Sequence, residues 1–117
     1  MTNTRYQLGQ LGERMVAEHL ESQGWDILER NYRRKGAEID IVARDGSTTV
    51  FVEVRTRRNR SAGGAFESIT PDKFSTLRRA AAKWLGEKGT TRQARIDAVT
   101  VEIRGSQATL THHRGLA

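Results

Sequence analysis

Glu38-Ile39-Asp40-Ile41-Val42-Ala43-Arg44-Asp45-Gly46-Ser47-Thr48-Thr49-Val50-Phe51-Val52-Glu53-Val54-Arg55 sets the architecture of this chain. Two runs rich in β-branched residues flank Asp45-Gly46, which predicts a β-hairpin. A strand repeats every two residues, so Glu38, Asp40 and Val42 are expected on one face of the first arm. On the second arm Phe51, Glu53 and Arg55 share a face, and Val50, Val52 and Val54 take the other. A tight turn at Asp45-Gly46 pairs Arg44 with Ser47 and sets Glu38 opposite Glu53. A loop two residues longer sets Asp40 opposite Glu53. Either register puts Asp40, Glu53 and Arg55 on one face, and a slip by one residue would expose the valines.

Like charges facing each other destabilise a sheet. Carboxylates placed there among Val and Ile make sense if a cation stands between them. Mg²⁺ or Mn²⁺, held by one or two carboxylates with water and phosphate oxygens, suits such a pair. Spacing alone leaves a second reading open, in which Glu38 and Asp40 are solvated and Arg55 is their ion-pair partner.

The chain of 117 residues suits one domain, 1–117, with a core over about 6–111 and a polar tail over 112–117. Without cysteine it has neither disulfides nor thiolate metal sites. Its start has no apolar signal region and no apolar run reaches membrane-spanning length, so a cytoplasmic protein without membrane contact is expected. The formal net charge of +6 points to a polyanionic partner. Only four of the 20 basic residues are Lys, and Arg's planar fork suits phosphate better.

Leu8, Leu11, Met15, Val16 and Leu20 recur at helical spacing and predict a helix over Tyr6–Gln23, with Glu13 at the edge of its apolar stripe. Gly24 ends it. Trp25–Asn31 is expected as the first strand. Arg33-Arg34-Lys35-Gly36 then reads as a basic turn leading into the acidic hairpin. After Arg55, the run Thr56 to Gly64 reads as a basic loop, with Arg57, Arg58 and Arg60 available to phosphates.

Thr70-Pro71-Asp72-Lys73 is a helix start: a capping Thr, Pro at the first helical position, then an acid. The helix is expected to reach about Leu85, with Phe74, Leu77, Ala80, Ala81, Trp84 and Leu85 inward and Lys73 at the stripe's edge, near the carboxylates. Gly86 to Thr91 reads as a linker. Ala94–Ile103 is expected as a strand covered on both faces, and Ala108–Thr111 as a short last strand. His112 and His113, adjacent on an extended chain, point to opposite faces and do not chelate together.

The motifs Gly12-Glu13, Arg30-Asn31-Tyr32, Gly36-Ala37-Glu38-Ile39-Asp40, Phe51-Val52-Glu53-Val54-Arg55-Thr56-Arg57, Thr70-Pro71-Asp72-Lys73 and Arg95-Ile96-Asp97-Ala98-Val99 span most of the chain. Together they resemble the bacterial family named after YraN. The element order, with Asp on one hairpin arm and Glu-x-basic on the other, resembles the PD-(D/E)XK nucleases and, with them, the archaeal Holliday-junction resolvases. The resemblance implies a restriction-endonuclease-like α/β core, a central mixed sheet flanked by two main helices. It implies Mg²⁺- or Mn²⁺-dependent hydrolysis of DNA, more than RNA, by a monomer or homodimer acting on branched substrates among others. Asp40, Glu53 and Glu13, the helix glutamate of the site, would be the metal ligands and, with Arg55, the catalytic residues, and Glu38 an accessory acid.

Arg55 stands where the superfamily motif has lysine. Arg stays protonated and cannot be a general base, but it can stabilise charge developing on phosphate. Nucleic acid is expected on Arg33, Arg34, Lys35, Arg57, Arg58, Arg60 and Lys73. Two alternatives stand beside cleavage: a non-catalytic module that holds nucleic acid through the Arg33–Lys35 turn and the Arg57–Arg60 loop, and an interaction protein that binds no nucleic acid.

Overall fold

The computed structural model describes residues 4–58, 69–90 and 93–117. In chain order these form α1 (Thr4–Ser22), β1 (Asp26–Arg34), β2 (Ala37–Asp45), β3 (Thr48–Arg58), α2 (Pro71–Lys88), β4 (Ala94–Arg104) and β5 (Gln107–His113). The strands make one sheet in the order β1-β2-β3-β4-β5. Only the β3–β4 pairing is parallel, and α2 is the connection between those two strands. This is the expected α/β arrangement, a five-stranded mixed sheet with two helices, compatible with a restriction-endonuclease-like core. Among the described residues no helix is long and apolar enough to cross a membrane.

Each face of the sheet buries one cluster. Val16, Ala17 and Leu20 of α1 pack on Ile41, Ala43, Val50, Val52, Val54, Val99 and Val101. Leu77, Ala80, Ala81 and Trp84 of α2 pack on Tyr32, Ile39, Val42, Phe51 and Ile96. β4 is therefore covered on both faces, as its two apolar sets require. α2 begins as its sequence dictates, with the Thr70 hydroxyl accepting the Lys73 N–H at 3.2 Å. It runs past Leu85 and takes in the first part of the expected linker, ending only at Gly89, which adopts φ 66°.

The hairpin adopts the second of the two registers, with Ile41 paired to Val52 and Asp45 to Thr48. Its turn is tighter than a longer loop would make it. The central residues are Gly46 and Ser47, with Gly46 alone at positive φ (61°), which matches the type II′ pattern.

Strict alternation fails in the first arm. Ile41 packs toward α1, whereas Ile39 packs toward α2, so the pleat changes parity at Asp40. The expectation that Glu38, Asp40 and Val42 share one flat face is corrected accordingly. Opposite Asp40 in the β1–β2 register stands Asn31, whose φ of 55° is unusual for a residue with a side chain. A regular pleat does not pass through either residue.

Three further boundaries are corrected. Trp25 precedes β1, and Arg33 and Arg34 belong to that strand, so the basic turn shrinks to Lys35-Gly36. β5 is longer than expected and includes His112 and His113. The polar tail is also part of the sheet region: Leu116 N–H donates to the Ile96 carbonyl (2.7 Å) and Ile96 N–H to the Ala117 carbonyl (3.0 Å). The tail is anchored by Asp97, which is wholly buried. Its carboxylate accepts from Arg95 Nε (2.8 Å) and Gly115 N–H (2.9 Å) and contacts His112 Nε2 (2.7 Å). Burial alone would raise its pKa, but Arg95, the Gly115 amide and His112 together hold it below the ordinary carboxylate range.

Candidate functional site: a carboxylate cluster in a forked sheet

The β2–β3 register stops at Ile41↔Val52. Beyond it β2 stays with β1, as far as Ala37↔Arg34, and β3 stays with β4, as far as Arg58↔Ile103. The two middle strands thus part and leave a fork. A fork should orphan backbone donors that a ladder would satisfy. Here Val54 N–H donates instead to Asp40 Oδ2 at 2.8 Å. The parity change at Asp40 is what turns its carboxylate into this gap.

Three acids meet there. Glu53, only 2 % exposed, comes from β3, Asp40 from β2 and Glu13 from α1. Asp40 is within hydrogen-bonding reach of both glutamates. Burial, and then the neighbouring Asp40, raise the Glu13 pKa to about 7. The same two causes, in the same order, raise Glu53 to about 8, against the opposing pull of Arg55 and Lys73. Arg55 Nη2 lies 2.9 Å and Lys73 Nζ 3.5 Å from Glu53 Oε2. Lys73 is therefore at the site, as its place on the helix stripe predicted. Arg55 partners Glu53 itself. Its buried Nε has no hydrogen-bond partner among the described residues.

A cavity of about 640 Å³ occupies the fork. Glu13, Glu38, Asp40, Glu53, Arg55 and Lys73 line it, and Arg57 and Arg58 continue its wall along β3. Glu38 reaches the cavity but is more than half exposed and is paired with Arg33 at 3.0 Å. Arg60 lies outside the described residues. Arg34 is drawn elsewhere: its guanidinium covers the Tyr32 ring at 4.5 Å and bonds Glu87 at 3.2 Å. Lys35 is exposed in its turn and does not line the cavity. Of the basic turn, only Arg33 borders this region, in a second cavity of about 410 Å³ beside the first. Arg5 and Gly9 of α1 line both cavities and belong to no motif in the sequence. Arg5, Gly9 and Glu13 follow at successive intervals of four, and that spacing is the signal that would have found them.

Two carboxylates facing one point are hard oxygen donors of the kind Mg²⁺ and Mn²⁺ take. Burial first, and the neighbouring Asp40 second, disfavour the charged forms of Glu13 and Glu53, a cost that a bound cation would offset. Among the described residues no three acidic, imidazole or thiol side chains form a ready-made ligand set. The donor pair Asp40 and Glu53 therefore suits an ion that takes its other ligands from water or phosphate, with Glu13 beside it.

Helix α1 is held close to the fork by Gly12. A Cβ at that position would collide with the Thr56 side chain of β3. The absence of a side chain lets the helix backbone approach the strand and brings Glu13, the next residue, to Asp40.

Comparison with known proteins identifies the family. Residues 12–101 match the model of "Uncharacterised protein family UPF0102". A UPF0102 protein of Beutenbergia cavernae is 44% identical over 111 residues, covering 93% of this chain and 94% of the relative. One of Mycolicibacterium vanbaalenii is 40% identical over 118 residues, covering 99% and 98%. One of Alkalilimnicola ehrlichii is 49% identical over 96 residues, covering 80% and 76%. With the match spanning Glu13 through Asp97 and relatives aligned over nearly their whole length, the chain belongs to the UPF0102, or YraN-like, family.

Proposed function

We propose that this protein is a Mg²⁺- or Mn²⁺-dependent phosphodiesterase acting on DNA in the cytoplasm, with the fork as its active site. The observation that carries the reading is the meeting of Glu13, Asp40 and Glu53 with Arg55 and Lys73 in one cavity walled by Arg57 and Arg58. The resemblance to the PD-(D/E)XK nucleases points the same way. Asp40 and Glu53 would hold the cation, which when bound supplies Lewis-acid polarisation of the phosphoryl group and eases deprotonation of the attacking water.

The chain's own residues have separable parts in this scheme. Arg57 and Arg58 draw the phosphate backbone along β3. Arg55 offers the exposed part of its guanidinium to a non-bridging phosphate oxygen, where charge grows in the transition state. Lys73 adds a second positive charge on the same side. The Glu13 carboxyl, with a pKa near the working pH, accepts a proton as water attacks phosphorus.

Incubation of the purified protein with branched, duplex and single-stranded DNA, in Mn²⁺ and in EDTA, tests the reading. Cation-dependent cleavage that vanishes in Glu53→Gln supports it. A second reading has its own observation: Glu53 already has two cationic partners, as it would in a module that binds DNA without cutting it. Salt-dependent binding with neither cleavage nor a Mn²⁺ effect on melting would favour that module.

A further inference from the structure

The second cavity is not needed for the cleavage scheme, yet it is built against the same helix. Arg5, Gly9 and Glu13 follow each other at intervals of four along α1 and border both cavities. On this ridge Gly9 is the anomaly. A glycine weakens a helix relative to alanine, and Gly12 has its reason in Thr56. A Cβ at Gly9 would meet nothing within 4 Å, so packing does not require the glycine. Its effect is a notch in the wall between the two cavities.

Beyond the notch stands Tyr6, the exposed large hydrophobic residue among those described, at 60 % exposure. Its hydroxyl accepts the Gln10 amide N–H at 2.9 Å, which ties the ring to the next turn of the helix. Arg5 and Arg33 supply positive charge around it. Gln10 and Asn31 supply amides, each with donor and acceptor capacity. Asn31 holds its place with a positive φ, a strained backbone at the rim of the cavity. At about 410 Å³ the space falls in the range of sites for small ligands.

We propose that this cavity seats one unpaired nucleotide of the DNA whose adjoining phosphate lies in the fork, the strand passing through the Gly9 notch and the base stacking on Tyr6. This rests on the nucleic-acid reading of the fork and adds to it the substrate class: DNA with an unpaired base next to the scissile phosphate. A base inside a duplex has both faces covered by its neighbours, so an aromatic platform serves only a base outside the stack. Phosphate held by Arg5 and Arg33, base edge met by Gln10 and Asn31, and ring on ring at Tyr6 account for every group that lines the cavity apart from Gly9 and Glu13.

Binding, read without cleavage, tests this. Fluorescence anisotropy would compare a blunt duplex with the same duplex carrying a short single-stranded tail, in Ca²⁺ and again in EDTA. The tailed duplex should bind about tenfold more tightly. Tyr6→Ala should erase the preference and Tyr6→Phe should keep it. Gly9→Leu, at a position where a Cβ meets nothing within 4 Å, should melt no lower than the parent and also lose the preference. A 2-aminopurine at the first unpaired position should be quenched by the parent and not by Tyr6→Ala. Equal affinities for the two duplexes, or a preference that survives Tyr6→Ala or Gly9→Leu, would overturn the nucleotide seat and leave the nucleic-acid reading standing. Failure to bind either duplex in both conditions would overturn both.

Discussion

The Asp40 carboxylate accepts the Val54 backbone N–H at 2.8 Å and so takes the place of a missing rung between β2 and β3. Asp40 thus has a structural duty as well as a chemical one, and two substitutions separate them. Asp40→Asn keeps an acceptor for Val54 and should fold with little loss, while abolishing cation binding. Asp40→Ala leaves the part-buried N–H without its partner and should cost about 1–3 kcal/mol. Denaturant melts of the two variants check this, and equal destabilisation by both would remove the structural duty.

Glu53→Gln removes one charge from the cluster at nearly constant size. Glu53 ordinarily titrates at 4.5 and in the fold at about 8. Between those values the folded protein binds more protons than the unfolded chain. The associated stability is present in full below pH 4.5 and is lost as pH rises through 8. Glu13 adds a loss of the same sign through about 7. In EDTA the parent should therefore melt lower at pH 9 than at pH 6, and Glu53→Gln should lessen that drop. At pH 9 the variant should be the more stable protein by ~1 kcal/mol. Millimolar Mn²⁺ should stabilise the parent and not the variant, because a ligand stabilises only the state that binds it. Thermal melts over this pH range, with and without Mn²⁺, decide the matter.

Arg55 can contribute charge but not basicity. Arg55→Lys should retain measurable cleavage and Arg55→Ala should lose two to three orders of magnitude in kcat, roughly the effect of losing one positioned donor. Single-turnover assays at saturating DNA separate this loss from weaker binding. An Arg55→Ala protein as active as the parent would take Arg55 out of the chemistry.

Arg57 and Arg58 are exposed at the end of β3, on the wall of the fork. Replacing both with Gln should weaken binding to all DNA sequences alike. The plot of log affinity against log salt should flatten by about two units, one for each phosphate no longer neutralised. An unchanged slope would mean that DNA approaches by another surface.

Gly12→Ala inverts the usual rule. In a helix interior alanine is ordinarily better than glycine by ~1 kcal/mol. Here the new methyl group would strike Thr56, so the substitution should destabilise. Adding Thr56→Ala removes the Oγ1 and Cγ2 atoms and should recover part of the loss. A double-mutant cycle on melting free energies measures that coupling, with a non-zero interaction expected for two groups that touch.

Much of this was legible in the chain itself. The strand period set Glu53 and Arg55 on one face, the Thr70-Pro71 start located α2, and the edge of a stripe located Lys73 and Glu13, whereas Asp40 joined them only through the change of parity. What escaped was set by contacts distant in sequence. Arg34 looked like its neighbour Arg33 until Tyr32 and Glu87, from α2, claimed it. The change of parity at Asp40 depends on Asn31 across the β1–β2 pair, and a two-residue period has no means of marking it. The Arg95-Ile96-Asp97 motif proved to hold the C-terminal tail rather than the site, because Asp97 points away from the fork to meet His112 and Gly115. The second cavity is hidden from the linear pattern because it is lined from α1 and β1 together, two elements that the pattern treats separately.

The fork also has a mechanical meaning. β1 and β2 form one jaw and β3, β4 and β5 the other, and the Gly46-Ser47 turn with the short ladder behind it is their pivot. Each jaw keeps its own ladder, and the two helix-backed apolar clusters lie across both. The Asp40–Val54 bond is the latch across the opening. Any opening of the fork must break that bond before it reaches the ladder at Ile41 and Val52. Amide exchange should accordingly be fastest at Val54 and slow progressively toward the pivot, with bound DNA read out as a change in that gradient.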